Sequence, residues 1–191
     1  AERVLVVAAE QMTRALDCTD RATCVLFGDG AGAAVIEAGG DNPLAVELST
    51  APDVETLRVP GLVGTSPFKA SADSASVLSM NGRRVFKFGV NAICDTVHKL
   101  AIDAGISLED IDHFVFHQAN ERILSQAVKR LGVPDERVVR TLRETGNISS
   151  ACIPLALDRL ANAGALHTGD TIALVGFGAG LDIGGYLLRW K

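Results

Sequence analysis

The run FVFHQANERI, residues 114–123, delivers a histidine and two amides at the end of a short apolar stretch. Phe114, Val115 and Phe116 read as a buried strand. His117, Gln118 and Asn120 then fall where that strand ends, the place from which an α/β scaffold presents chemistry to a ligand. A second polar candidate, Asn147, lies thirty positions further on, in ETGNISSA. One strand–helix–strand passage spans that distance, so the spacing allows both side chains to share one sheet edge. The residue types leave two readings open at each position. His117 is either a hydrogen-bonded core histidine or a site residue, and Asn147 either a turn or N-cap asparagine or a site residue. GFGAG at 176–180 gathers backbone N–H groups near a strand end, as either an oxyanion hole or a tight hairpin turn. GDGAG at 28–32 is not a nucleotide loop, because it lacks the GxGxxG spacing, the Lys-Ser/Thr pair and a following helix.

The elements that must position these residues are read from periodicity. RVLVVA at 3–8 is a continuous apolar run, hence a buried strand. Residues 22–38 and 171–190 each read as strand, glycine-rich turn, strand, with Phe27 and Phe177 in equivalent places, which hints at two similar halves. A strand is expected at 44–49, then a long irregular segment to 78 that carries several prolines. Helical spacing predicts helices over 82–105, 120–132 and 151–164. Gly105 and Gly132 stop the first two, and Pro154 falls in the first turn of the third. SLEDI at 107–111 has the pattern of a helix start, and a short strand is expected near 137–141. Helices alternating with buried strands argue for a layered α/β fold.

Composition narrows the class. The chain has 191 residues, 48% hydrophobic and 5% aromatic, so aliphatic side chains and alanine build the core. The net charge of −5 argues against a general nucleic-acid binder. No apolar run is long enough to predict a membrane span, and the first residues do not form a secretory signal. Cys18, Cys24, Cys94 and Cys152 have no CxxC spacing and read as reduced thiols of a cytoplasmic protein. Cys18 falls in a loop, Cys24 in a buried strand, Cys94 within a helix and Cys152 just after the asparagine motif, all as small inert thiols.

HQAN at 117–120, GN-S-A at 146–151, FGDGAGA at 27–33 and GFGAG at 176–180 occur in one order with fitting spacings. Together they resemble β-ketoacyl-acyl-carrier-protein synthase III, a condensing enzyme of the thiolase fold. The resemblance implies a layered αβαβα architecture. Residues 1–78 would be the end of the N-terminal half with an irregular substrate and dimer loop, and 79–191 the C-terminal half. It implies decarboxylative Claisen condensation of an acyl-CoA primer with malonyl-acyl carrier protein. Alternatives within the resemblance are an acyltransferase or polyketide starter enzyme of the same fold, and a non-catalytic partner subunit.

Members of the family use a Cys-His-Asn constellation, onto which His117 and Asn147 map. The pair would hold the thioester oxygen while carbon dioxide leaves, and two neutral N–H donors stabilise an enolate that a carboxylate would repel. Phe177 maps to a phenylalanine that keeps the site apolar, and Ala179 to the turn position whose N–H completes the oxyanion hole. Arg21 would lie near the CoA adenine, and Asn120 would support the pantetheine or a site water. A basic patch drawn from Arg83, Lys87, Arg122, Lys129 and Arg130, with Lys87 and Arg122 foremost, would steer an acidic acyl carrier protein. The resemblance implies no cofactor or metal beyond the coenzyme A thioester as substrate, and a homodimer. None of the four cysteines maps to the nucleophile, which lies upstream in the family. The chain is therefore expected to be a C-terminal portion, from a cleaved or split protein or beside a second chain carrying the cysteine, and inactive by itself.

Overall fold

A computed structural model describes residues 1–39, 43–59 and 77–191. The chain runs through β1 (Arg3–Gln11), β2 (Asp29–Glu37), β3 (Ala45–Asp53), and the two-residue strands β4 (Leu57–Arg58) and β5 (Ser79–Met80). It continues with α1 (Gly82–Ala104), β6 (His113–Phe116), α2 (Glu121–Leu131), α3 (Leu142–Thr145), α4 (Cys152–Asn162), β7 (Thr171–Gly178) and β8 (Gly180–Arg189). One sheet has the order β3-β8-β7-β6, antiparallel except for the parallel β6–β7 pair. β1 and β2 form a separate antiparallel pair, with Val4 opposite Ile36 and Ala8 opposite Gly32.

Strand alternation sorts the core into layers. Phe114 and Phe116 of β6, Ala173 and Val175 of β7 and Leu187 of β8 face α1 and α2. Their neighbours Val115, Ile172, Leu174 and Leu188 face the opposite way, onto Ala156, Leu157 and Leu160 of α4. A third cluster joins Ile148, Ala151 and Cys152 to Ala8 of β1. The order through the molecule is therefore α1 and α2, the four-stranded sheet, α4, and the β1–β2 sheet. That is four successive layers of a thiolase-like αβαβα sandwich.

α1 buries Val85, Val90, Ile93, Cys94, Val97, Leu100 and Ala101. It starts where the Asn81 side chain accepts from the Arg84 N–H. It stops at Gly105, left-handed at φ 67°, whose N–H reaches the Ala101 and Ile102 carbonyls. Ser107 and Asp110 form the capping box expected from SLEDI, around a 3-10 turn rather than a longer helix.

Several expectations give way. Residues 22–27 are not a strand, so Cys24 is not in one. The Asp20 carboxylate accepts from the Ala22 N–H and the Thr23 hydroxyl and winds the segment into turns. The glycines of 28–32 do not make a hairpin, because β2 starts at Asp29 and runs straight through Gly30 and Gly32. They permit close packing instead: a Cβ on Gly32 would lie 2.8 Å from Pro154 Cγ. The two glycine segments are therefore not equivalent, since 171–190 is a hairpin and 22–38 is not. No strand forms at 137–141, where Val138 makes one isolated bridge to Phe114. β3 continues to Asp53, past the expected start of the irregular segment, whose residues 60–76 lie outside the described residues.

Candidate active site

His117 follows the last residue of β6, and its backbone N–H donates to the Val175 carbonyl at 2.8 Å. The parallel ladder thus extends one residue beyond the strand and fixes the point from which the imidazole leaves. Gln118 is fully buried. Its amide donates to the carbonyls of Phe116 and Val139 at 2.9 and 3.1 Å, and its oxygen accepts from the Thr141 N–H at 2.9 Å. This amide ties the end of β6 to the passage leading to Asn147. Asn120 caps α2 by accepting from the Arg122 N–H at 2.8 Å, and also lines the cavity described below.

Asn147 is clasped by the segment before β2. Its N–H donates to the Leu26 carbonyl at 2.9 Å, and its carbonyl accepts from the Gly28 N–H at 3.0 Å. The side-chain oxygen accepts from the Ser149 N–H at 2.9 Å, which leaves the amide NH2 as the group available to a ligand. His117 and Asn147 line the same two adjoining cavities. One, of about 500 Å³, runs past Phe27, Phe86 and Phe88 to Arg83 and Arg122. The other, of about 590 Å³, reaches Cys152 and Ala179. Phe177 borders both and sets its ring edge-on to the imidazole, at 5.1 Å between centroids and 80° between planes.

Burial pushes the His117 imidazole down to about 4, so the ring is neutral near pH 7. A neutral ring carries one N–H, and its position decides what the site can donate. Nδ1 lies 3.0 Å from Cys152 Sγ, so the second nitrogen is left for the cavity. Sequence reasoning set Cys152 aside as an inert thiol, yet it touches the histidine directly. Only its place at the start of α4, beneath the sheet edge, brings it there, and no spacing signal marks it. Burial raises this thiol to about 11, so it is protonated at neutral pH. Paired neutral donors facing one cavity suit an oxygen on which negative charge develops.

Residues 102–190 match the family model described as 3-oxoacyl-[acyl-carrier-protein (ACP)] synthase III C terminal. Residues 1–52 match that of 3-oxoacyl-[acyl-carrier-protein (ACP)] synthase III. The chain belongs to this family. A β-ketoacyl-[acyl-carrier-protein] synthase III from Clostridium acetobutylicum is 43% identical over 189 residues, 97% of this chain and 58% of the relative. The structure of the Thermus thermophilus β-ketoacyl-[acyl carrier protein] synthase III superposes with a TM-score of 0.89 at 41% identity, over 100% of this chain and 60% of that one. The priming β-ketosynthase of the R1128 polyketide pathway gives 0.88 at 38% identity, over 100% and 58%. The chain thus spans under two thirds of the length of these synthase III relatives.

Around these two cavities the remaining candidates separate. Ala179 is the single residue between β7 and β8 and lines the second cavity. The expected turn is therefore shorter than 176–180, because Gly176, Phe177 and Gly178 are still paired strand. Arg122 stands at the mouth of the first cavity, its guanidinium 5.9 Å from the centre of the Phe86 ring. Lys87 is exposed one turn of α1 from Arg83 and borders a shallower cleft with Asp53 and Asn91. Arg130 is engaged elsewhere, on Asn91 and Asp95. Arg21 is exposed and does not line the cavity, although its neighbour Ala22 does. Among the described residues no cluster of His, Cys, Asp and Glu is arranged to hold a metal ion, and no helix is long and apolar enough to cross a membrane.

Proposed function

We propose that this chain supplies the carbonyl-binding side of a decarboxylative condensation site, which joins an acyl-CoA primer to malonyl-acyl carrier protein and so begins fatty-acid or related polyketide synthesis. The observation that carries the reading is the shared position of His117 and Asn147 on two joined cavities. The malonyl thioester oxygen takes an N–H from each. As the carboxyl–carbon bond breaks, carbon dioxide leaves and its bonding electrons form an enolate, whose charge those donors hold. The enolate carbon then attacks the primer's acyl thioester, and a cysteine thiolate is the leaving group. Phe177 and the apolar walls favour loss of the carboxylate's charge as neutral carbon dioxide.

The nucleophilic cysteine belongs, on this reading, to the part of the family fold that the 191 residues do not span. Cys152 is the thiol nearest the histidine here, and a buried thiol raised to about 11 is a poor acyl acceptor. The chain alone is then inactive. The Ala179 N–H serves the acyl-cysteine oxygen, Asn120 the pantetheine arm and Arg21 the outer end of coenzyme A. Arg122 and Lys87, with Arg83, receive the acidic carrier protein on a chain that is otherwise net negative. The enzyme acts in the cytoplasm as a homodimer, without a metal or resident cofactor. The similarity to a polyketide priming ketosynthase favours a starter-enzyme role as the second reading, with the same chemistry at the same residues.

The test reconstitutes the chain with a separately expressed N-terminal part of the fold and follows carbon dioxide release from malonyl-acyl carrier protein. His117→Ala and Asn147→Ala should each lower the rate by roughly 100-fold or more, the scale of losing one oxyanion donor. Undiminished release in both variants would overturn the reading.

A further inference from the structure

We propose that Cys152 is a positioning residue: its S–H donates to His117 Nδ1 and so holds the imidazole as the tautomer with its proton on Nε2, facing the cavity. The inference deepens the function proposed above and rests on it for its catalytic meaning.

The geometry is built from three groups. Cys152 Sγ lies 3.0 Å from Nδ1, and the Gln118 backbone N–H reaches the same sulfur at 3.4 Å. An N–H can only donate, so Gln118 takes up acceptor capacity on the sulfur and leaves the thiol proton to be donated. Nδ1 accepts it, and the ring's own proton then sits on Nε2. The reverse arrangement would aim two N–H donors at one sulfur, leave the thiol proton without this acceptor, and turn a bare lone pair toward the cavity. There it would repel the charge that forms on the thioester oxygen.

Neither partner has room to drift. Cys152 is 1% exposed and begins α4. Gln118 is held at both ends of its side-chain amide. Phe177 braces the ring from the side. The thiol does no covalent chemistry in this role.

The experiment labels the histidines of the 191-residue chain with nitrogen-15 and reads the tautomer from long-range proton–nitrogen correlations. The His117 signals are assigned by their loss in His117→Ala. We expect Nδ1 to show the shift of an unprotonated ring nitrogen in the wild type and in Cys152→Ser, whose hydroxyl keeps a donor. In Cys152→Ala the two tautomers should mix. A protonated Nδ1 in the wild type, or no change in Cys152→Ala, overturns the proposal. In the reconstituted enzyme Cys152→Ala should lower kcat for malonyl decarboxylation at least about tenfold with little change in KM, a fraction of the cost of losing the donor outright. Cys152→Ser should restore it, a rescue that a packing role would not give. A tautomer change without a rate change would uphold the positioning and overturn the condensation reading instead.

Discussion

The role proposed for His117 asks it to donate while remaining neutral, and its ring resists protonation because burial desolvates it. Burial moves it from 6.5 to about 4. Above pH 6.5 neither the native nor the unfolded ring is charged, so this residue adds no pH dependence there. Between about 6.5 and 4 the unfolded chain binds a proton that the native imidazole refuses, and stability falls as the solution is acidified. Below about 4 both states are protonated and the loss stops growing. One full proton corresponds to about 1.4 kcal/mol per pH unit, and the side of the ring open to the cavity reduces this. Urea unfolding at pH 5 and pH 7 should show this loss in the wild type and less of it in His117→Ala. An identical pH dependence in the two would contradict a desolvated ring. The carboxylates with lowered values, such as Asp29 under its bonds from Thr13, act in a separate window below 3.8. The histidine was visible in the sequence because a polar residue at the end of an apolar run stands out, and the asparagine through its motif and its spacing of thirty residues from the histidine. Cys152 was not, because a small thiol looks alike whether it fills a core or touches an imidazole.

The elements transmit this precision through close backbone approach. Gly28 shows the effect most clearly: a Cβ there would lie 2.1 Å from the Thr145 carbonyl oxygen, and backbone cannot swing away. The same glycine donates its N–H to the Asn147 carbonyl. Gly28→Ala should therefore cost about 1–3 kcal/mol by overpacking and displace Asn147, lowering decarboxylation more than stability alone explains. Gly82→Ala, where nothing lies within 4 Å at the start of α1, should leave both almost unchanged. Thermal unfolding together with carbon dioxide release on the reconstituted enzyme checks the pair, and equal effects would refute the clasp. This also explains what the sequence did not disclose. A glycine kept for close approach looks the same as one kept for a turn, so 28–32 reads as a glycine-rich turn although β2 runs on from Asp29. The apolar spacing of α1 and the continuous apolar runs of β6 and β7 are self-contained signals, and those elements form where they are expected. The segment at 22–27 departs because a single carboxylate, Asp20, bends a run whose composition suits a strand.

At the scale of the whole molecule, the outermost described layer is half covered. One face of the β1–β2 sheet packs on Ile148 and the start of α4 through Ala8, Gly30 and Gly32, while Val4, Val6 and Ile36 farther along that face stay exposed. The other face carries Leu5, Val7 and Val35, at 65, 61 and 64% exposure, with Leu5 directly opposite Val35. Fully burying each such side chain stabilises by about 1.5–3 kcal/mol, and two strands alone make a marginal sheet. A contiguous aliphatic face beside open strand edges favours association. We assign this face to the remainder of the αβαβα sandwich that the chain does not span. Alone, the chain should self-associate through the face, seen as concentration-dependent mass in sedimentation, and the substitutions Leu5→Lys, Val7→Lys and Val35→Lys together should restore a monomer. With the N-terminal part added, the wild type should pass into a one-to-one unit of the two parts that dimerises as a whole, while the triple variant should fail to bind. A wild-type chain that stays monomeric at high concentration and ignores the N-terminal part would show that this face needs no cover. It would also separate the layer from the site, because the segment leading into β2 carries the Asn147 clasp, and a sheet that folds without its cover would hold Asn147 equally well in the isolated chain.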